Sequence, residues 1–153
     1  VGFHTNLSVK GPSAGASVLI SDVEQWTVND THLPTGDVDY ENALLEELRL
    51  GQLRTERQRL SDILLKDSAP GVPHRAFLTN AAGEVRVEYR KSRTLPFWVL
   101  WNGDGKSGFV SIEPQSWAID APNLSMPPTK TGMVFLRPGE QWRSALSLHF
   151  PYA

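Results

Sequence analysis

The sequence predicts a mainly β fold, an antiparallel β-sandwich with a short helical segment near residues 41–66. Three observations carry this. Apolar residues recur with period two in several short stretches. The spaces between them are punctuated by 12 Gly and 11 Pro. No regular succession of strands and long helical patterns, the mark of a parallel βαβ sheet, runs along the chain. At 153 residues, 40% hydrophobic and 21% charged, the chain is large enough to bury a core as one domain over 1–153.

Residues 1–9 alternate. Phe3, Thr5, Leu7 and Val9 share one side of an extended strand and Gly2, His4, Asn6 and Ser8 the other, so His4 points away from the apolar face. GPSAG at 11–15 is a loop, and 17–22 and 24–28 read as two strands, ended by a turn at Leu33-Pro34-Thr35-Gly36. Residues 40–66 are rich in Leu, Glu and Arg. Leu44, Leu45 and Leu48 fall at helical spacing, which predicts one or two short helices interrupted near Gly51, in a solvated connector.

The strand pattern returns after Pro70-Gly71 and Pro73. Val85, Val87 and Tyr89 face one way, and Glu84, Arg86, Glu88 and Arg90 the other. FWVLW at 97–101 is a continuous apolar run, as a strand covered on both faces requires. NGDG at 102–105 tolerates positive φ, so 97–101 and 108–113 are expected to pair. After a Pro-rich loop at 114–128, residues 132–136 and 142–150 are expected to form a last hairpin about the RPGE turn. The total is roughly eight strands, the pattern of a sandwich.

Fifteen Lys+Arg against 17 Asp+Glu leave a formal charge of −2, with no electrostatic footprint for nucleic acid or an anionic membrane. No apolar run approaches the ~20 residues that span a bilayer, and a soluble, cytoplasmic protein is expected. Without Cys there is no disulfide, thiolate nucleophile or Cys-based zinc site, and the four His form no HxxxH or HxH pair. There is no GxSxG elbow and no Gly-rich phosphate loop. The chain lacks an initiator Met and starts inside a patterned segment, as a truncated or processed chain would.

Glu113 is the informative carboxylate. Val110 and Ile112 share one face of their strand, so Glu113 falls on the other with Ser111, at the strand end beside a Trp-bearing loop, a placement suited to a general base. His4, on the polar side of its own strand, is the candidate acid, because imidazole can give a proton near neutral pH. Trp98, Trp101 and Trp117 surround Glu113 in sequence and offer flat faces to sugar C–H groups, at least one of them being core. A carboxylate pair of glycosidase type, Glu113 with Asp62, Asp104 or Asp120, remains open, with Asp104 read as a turn residue.

Four ordered segments resemble the C-terminal half of the aldose 1-epimerases, the galactose mutarotases. They are Gly2-Phe3-His4-Thr5-Asn6-Leu7, Leu33-Pro34-Thr35-Gly36, Ile112-Glu113-Pro114-Gln115 with Asp120-Ala121-Pro122-Asn123, and Val134-Phe135-Leu136-Arg137-Pro138-Gly139-Glu140. The resemblance implies about half of a β-supersandwich and an isomerase that exchanges the anomers of a hexopyranose. Glu113 would act as base and His4 as acid, with no metal or organic cofactor. Asp62 sits where the family binds sugar hydroxyls, and Gln115, Trp101 and Trp117 are further candidates for contact with the monosaccharide.

Two departures stand out. Thr5 and Asn6 follow His4 where the family has an aromatic pair. The family's first half, which supplies an Arg and a second His, is not among these residues, so a missing N-terminal half or a second copy is expected as partner, and the chain alone is expected to be incompetent. The alternatives are a non-catalytic carbohydrate-binding β-sandwich and a hexose-6-phosphate epimerase, for which Arg75, Arg90, Arg93 and Arg137 are the phosphate candidates.

Overall fold

Period-two alternation produces strands that each have one face to bury, and the chain buries them by stacking two antiparallel sheets. The computed structural model describes residues 1–11, 14–61, 63–69 and 74–151. Its strands are β1 (Asn6–Ser8), β2 (Ser17–Leu19), β3 (Val23–Val28), β4 (Pro34–Asp39), β5 (Leu53–Arg54), β6 (Ile63–Asp67), β7 (His74–Thr79), β8 (Val85–Lys91), β9 (Phe97–Trp101), β10 (Phe109–Gln115) and β11 (Leu146–His149). The helices are α1 (Ala43–Leu50) and α2 (Pro128–Thr131). A six-stranded sheet runs β1-β10-β9-β6-β3-β4 and a five-stranded sheet β11-β8-β7-β2-β5. The architecture is the antiparallel β-sandwich that the alternation predicts. No helix among the described residues is long and apolar enough to cross a membrane.

The main core lies between the sheets. Leu65, Trp98, Leu100, Val110 and Ile112 come from one sheet and Val18, Ala76, Leu78, Val87 and Tyr89 from the other, all buried. A second apolar cluster forms on the outer face of the six-stranded sheet, where Ala118, Ile119, Leu124 and Met126 cover Trp26, Leu64, Phe97 and Val99. That cover leaves the β1–β10 end of the face open, and the site lies there. Trp98 points into the main core and Trp26 into the outer cluster, so two of the five Trp are fully buried.

A charged pin crosses the sandwich. Asp67 Oδ2 lies 2.9 Å from Lys91 Nζ and 3.1 Å from His74 Nδ1, and Trp98 Nε1 donates to Asp67 Oδ1 at 3.0 Å. Lys91 Nζ also donates to the Leu95 and Phe97 carbonyls. Burial pushes the Asp67 carboxyl up, the His74 imidazole down and the Lys91 ammonium down to about 8. Partners on every side are what make buried charges tolerable.

Four expectations are corrected. Pro34-Thr35-Gly36 does not end the strand pair. It opens β4, an edge strand whose free side needs no N–H from Pro34, and the turn falls earlier, where Asn29 Oδ1 accepts from Thr31 N and Leu33 N at 3.0 Å each. The stretch 40–66 is not a solvated connector. Its helix is confined to Ala43–Leu50, capped by the Asn42 side chain on Leu45 N and ended by Gly51 at φ 65°, with Leu45 and Leu48 buried. Residues from Ile63 onward belong to β6. The last hairpin does not form, since β11 pairs with β8 while Val134, Phe135 and Leu136 are exposed. Finally, the ladder of the first strand is confined to Asn6–Ser8 plus a lone bridge from Gly2 to Gln115. Pro114, whose carbonyl accepts from Phe3 N at 3.1 Å, has no N–H to return to Phe3.

Candidate functional site

The site is built on β10. Val110 and Ile112 enter the main core, so alternation turns Ser111, Glu113 and Gln115 to the outer face. β1 extends that face. The register that sets Asn6 opposite Ser111 and Gly2 opposite Gln115 carries His4 opposite Glu113. Facing residues on one side of an antiparallel pair are close enough for side chains to touch, and these two do: His4 Nδ1 lies 2.9 Å from Glu113 Oε2.

The pair is asymmetric. The Glu113 side chain is 7% exposed and that of His4 68%. Gln115 Nε2 donates to Glu113 Oε2 at 3.4 Å, so both contacts fall on one carboxylate oxygen. Oε1 of Glu113 and Nε2 of His4 are the atoms the pair can offer to a third group. Over them lies an open pocket of about 380 Å³, walled by Asn6, Val99, Trp101, Gln115 and Ile119, a size suited to a small polar molecule. Trp101 is 39% exposed, and its ring rests on Phe109 with centroids 5.2 Å apart, which fixes the ring while leaving part of it to the pocket.

Of the residues expected at the site, His4, Glu113, Gln115 and Trp101 come together. Trp117 does not. It lies just beyond the end of β10 and lines a separate apolar pocket of about 150 Å³ with Val134, Leu136 and Trp142. Asp62 lies outside the described residues. Asp104 is the turn residue predicted, its Oδ1 accepting from Lys106 N and Ser107 Oγ, and Asp120 accepts from Asn123 Nδ2. Neither lines the pocket, so among the described residues Glu113 has no second carboxylate beside it.

None of Arg75, Arg90, Arg93 and Arg137 lines this pocket. Arg75 and Arg90 instead pair with Glu88, at 3.2 and 2.8 Å, and hold its carboxyl below the usual range, Arg90 foremost. Sequence reasoning missed Asn6 as a wall of the site, although the alternation that singled out His4 puts Asn6 on the same face. Ser111, on the face of β10 that alternation predicts, does not line the pocket, and its buried hydroxyl has no hydrogen-bond partner among the described residues.

A family model described as aldose 1-epimerase matches residues 1–149. Among solved structures, the crystal structure of a galactose mutarotase-like protein from Clostridium acetobutylicum is similar, with a TM-score of 0.84 at 24% identity. The match covers 97% of this chain and 47% of that one, so the chain spans about half the length of the structure it resembles. At that identity the likeness establishes the fold.

Proposed function

The chain belongs to the aldose 1-epimerase family, and on that premise we propose that it serves an isomerase of the mutarotase kind, which interconverts the α and β anomers of a hexopyranose. The observation that supports this reading is the 2.9 Å contact between His4 and Glu113 on the floor of an open pocket flanked by Trp101.

The chemistry balances as a proton exchange. Glu113 takes the proton of the anomeric hydroxyl while His4, starting as the imidazolium, gives its Nε2 proton to the ring oxygen and is left as the Nδ1–H imidazole. The C1–O5 bond breaks as C1–O1 becomes a carbonyl, C1 turns about C1–C2, and reclosure from the other face returns both protons. Trp101 stacks on the apolar face of the sugar and Gln115 steers the carboxylate. Asp62 keeps the hydroxyl-binding role that the family resemblance implies. Because both acid and base come from this chain, a second body, either the other half of a supersandwich or another copy, would serve to hold the sugar. The exposed Val134, Phe135 and Leu136 are surface such a body can cover.

Polarimetry on a freshly dissolved single anomer tests the reading. The chain, with its complementary half if it needs one, accelerates exchange, and Glu113→Gln removes about 10²–10⁴-fold of that acceleration while sugar binding persists. Sugar binding without acceleration in the parent points instead to a carbohydrate-binding module. A Glu113→Gln variant within about threefold of the parent removes Glu113 from the mechanism.

A further inference from the structure

His4 stands at the sheet edge where the ladder is weakest, between the Gly2 bridge and Asn6, next to Phe3, whose partner Pro114 cannot donate. The ladder on either side fixes its register, and the neighbouring residue adds a side-chain tie there. Thr5 Oγ1 donates to the Ile112 carbonyl at 3.2 Å. A hydroxyl has one proton, and a carbonyl can only accept, so the 2.7 Å contact between Thr5 Oγ1 and Tyr89 Oη has Tyr89 as donor. Tyr89 is fully buried on β8 of the opposite sheet, with its ring edge-on to Trp98.

We propose that Tyr89 and Thr5 are positioning residues for the His4–Glu113 pair, acting as a hydrogen-bonded relay that runs from one sheet through the core to the Ile112 carbonyl. The relay's last two members are chain neighbours of the pair, Thr5 beside His4 and Ile112 beside Glu113, so the relay ties together the two segments that carry them. Burial holds the Tyr89 phenol up at about 12, which keeps it protonated and donating at any pH where the pair could work. Linked donors of this kind polarise one another in a low-dielectric interior. The roles of His4 and Glu113 rest on the function proposed above; their geometry does not.

The test uses Thr5→Val, Thr5→Ser, Tyr89→Phe and the Thr5→Val/Tyr89→Phe double variant. Thr5→Val and Tyr89→Phe each lower kcat about tenfold with KM within about twofold, since a positioning loss falls on the reacting geometry. Thr5→Ser keeps the hydroxyl and more than about half the parental kcat, and the double variant loses no more than the worse single one. Multiplicative losses, or a Thr5→Val variant at parental kcat, overturn the relay.

The second readout needs no turnover. In ¹⁵N spectra of the neutral imidazole, His4 is the Nδ1–H tautomer in the parent, because Nδ1 faces the carboxylate. It shifts towards the free-imidazole mixture in Thr5→Val and Tyr89→Phe. If the parent exchanges no anomers, that shift still upholds the relay while the proposed activity fails; an unshifted tautomer in both variants overturns it.

Discussion

His4 meets Glu113 through one atom of each, Nδ1 and Oε2 at 2.9 Å. Those two atoms are engaged with each other, and Oε2 also accepts from Gln115. On the function proposed, His4 Nε2 and Glu113 Oε1 are the atoms left to face a substrate, and the surroundings of those atoms decide what the site tolerates.

Gly2 is the closest control on Nε2. A Cβ at this position would stand 3.5 Å from His4 Nε2 and 3.3 Å from Gln115 Cγ. On the function proposed, Gly2→Ala is expected to lower kcat/KM about tenfold, because the methyl presses on the Gln115 side chain and fills space beside Nε2. Its unfolding midpoint in urea should match the parent's, as for a surface substitution. A variant with unchanged kcat/KM would mean that the donor approaches from elsewhere.

Trp101 is expected to act on affinity alone. Its ring packs on Phe109 and is partly open to the pocket, and an aromatic face stacked on a ring contributes about 0.5–1.5 kcal/mol. Trp101→Ala should raise KM about three- to tenfold and leave kcat in place, the signature of uniform binding. Steady-state kinetics over a range of sugar concentrations separates the two constants.

Asn102 secures the end of β9 just beyond Trp101. Buried to 1% exposure, it accepts from Leu60 N at 2.7 Å and donates to the carbonyls of Thr55 and Gln58 at 2.7 and 2.9 Å. Asn102→Ala leaves these backbone groups without their partner, at about 0.5–1.5 kcal/mol for each bond, so a loss of roughly 2–4 kcal/mol is expected in equilibrium denaturation. A loss below about 1 kcal/mol would mean that the 55–60 segment repacks around the gap.

Lys91 sets the alkaline behaviour of the fold. Burial holds its ammonium down at about 8 from an ordinary 10.5, against the opposing pull of Asp67, with His74 and Trp98 also facing the cluster. Between those two values the unfolded chain binds a proton that the native chain has released. Rising pH therefore favours the native state across that window, and below about 8 the cost of burying the charge is present in full. The stability of the parent minus that of Lys91→Met should increase by roughly 2–3 kcal/mol from about pH 8 to 10.5. A flat or falling difference would show that Lys91 keeps its proton.

The polar side of the first strand and of β10 was legible because alternation fixes parity, and parity is what put His4 and Glu113 on one face. The distance between them was not legible, since it depends on which strands are neighbours. β4 was misread because Pro34 and Gly36 are turn formers in isolation, whereas a sheet edge accepts both. β6 was hidden within a Leu-rich stretch because Leu64 and Leu65 are buried on opposite faces, one in the outer cluster and one in the main core. Such a strand has no alternation to detect. β11 was recognisable as a strand, but its partner across the ladder is β8 and not the apolar segment before it. Trp117 was grouped with Glu113 by closeness in sequence, and the turn after Gln115 separates them.

The hydrogen bond that Pro114 cannot return to Phe3 leaves the segment that carries His4 with fewer ladder bonds than β1 after it. The main core and the Asp67–Lys91 pin hold the two sheets together, and residues 3–5 add to them one hydrogen bond, from Tyr89 to Thr5. On the function proposed, heating is expected to part His4 from Glu113 while the sheets remain intact, as local openings precede global ones. Inactivation then has a lower midpoint than melting, and the interval between the two temperatures measures how firmly that strand is held.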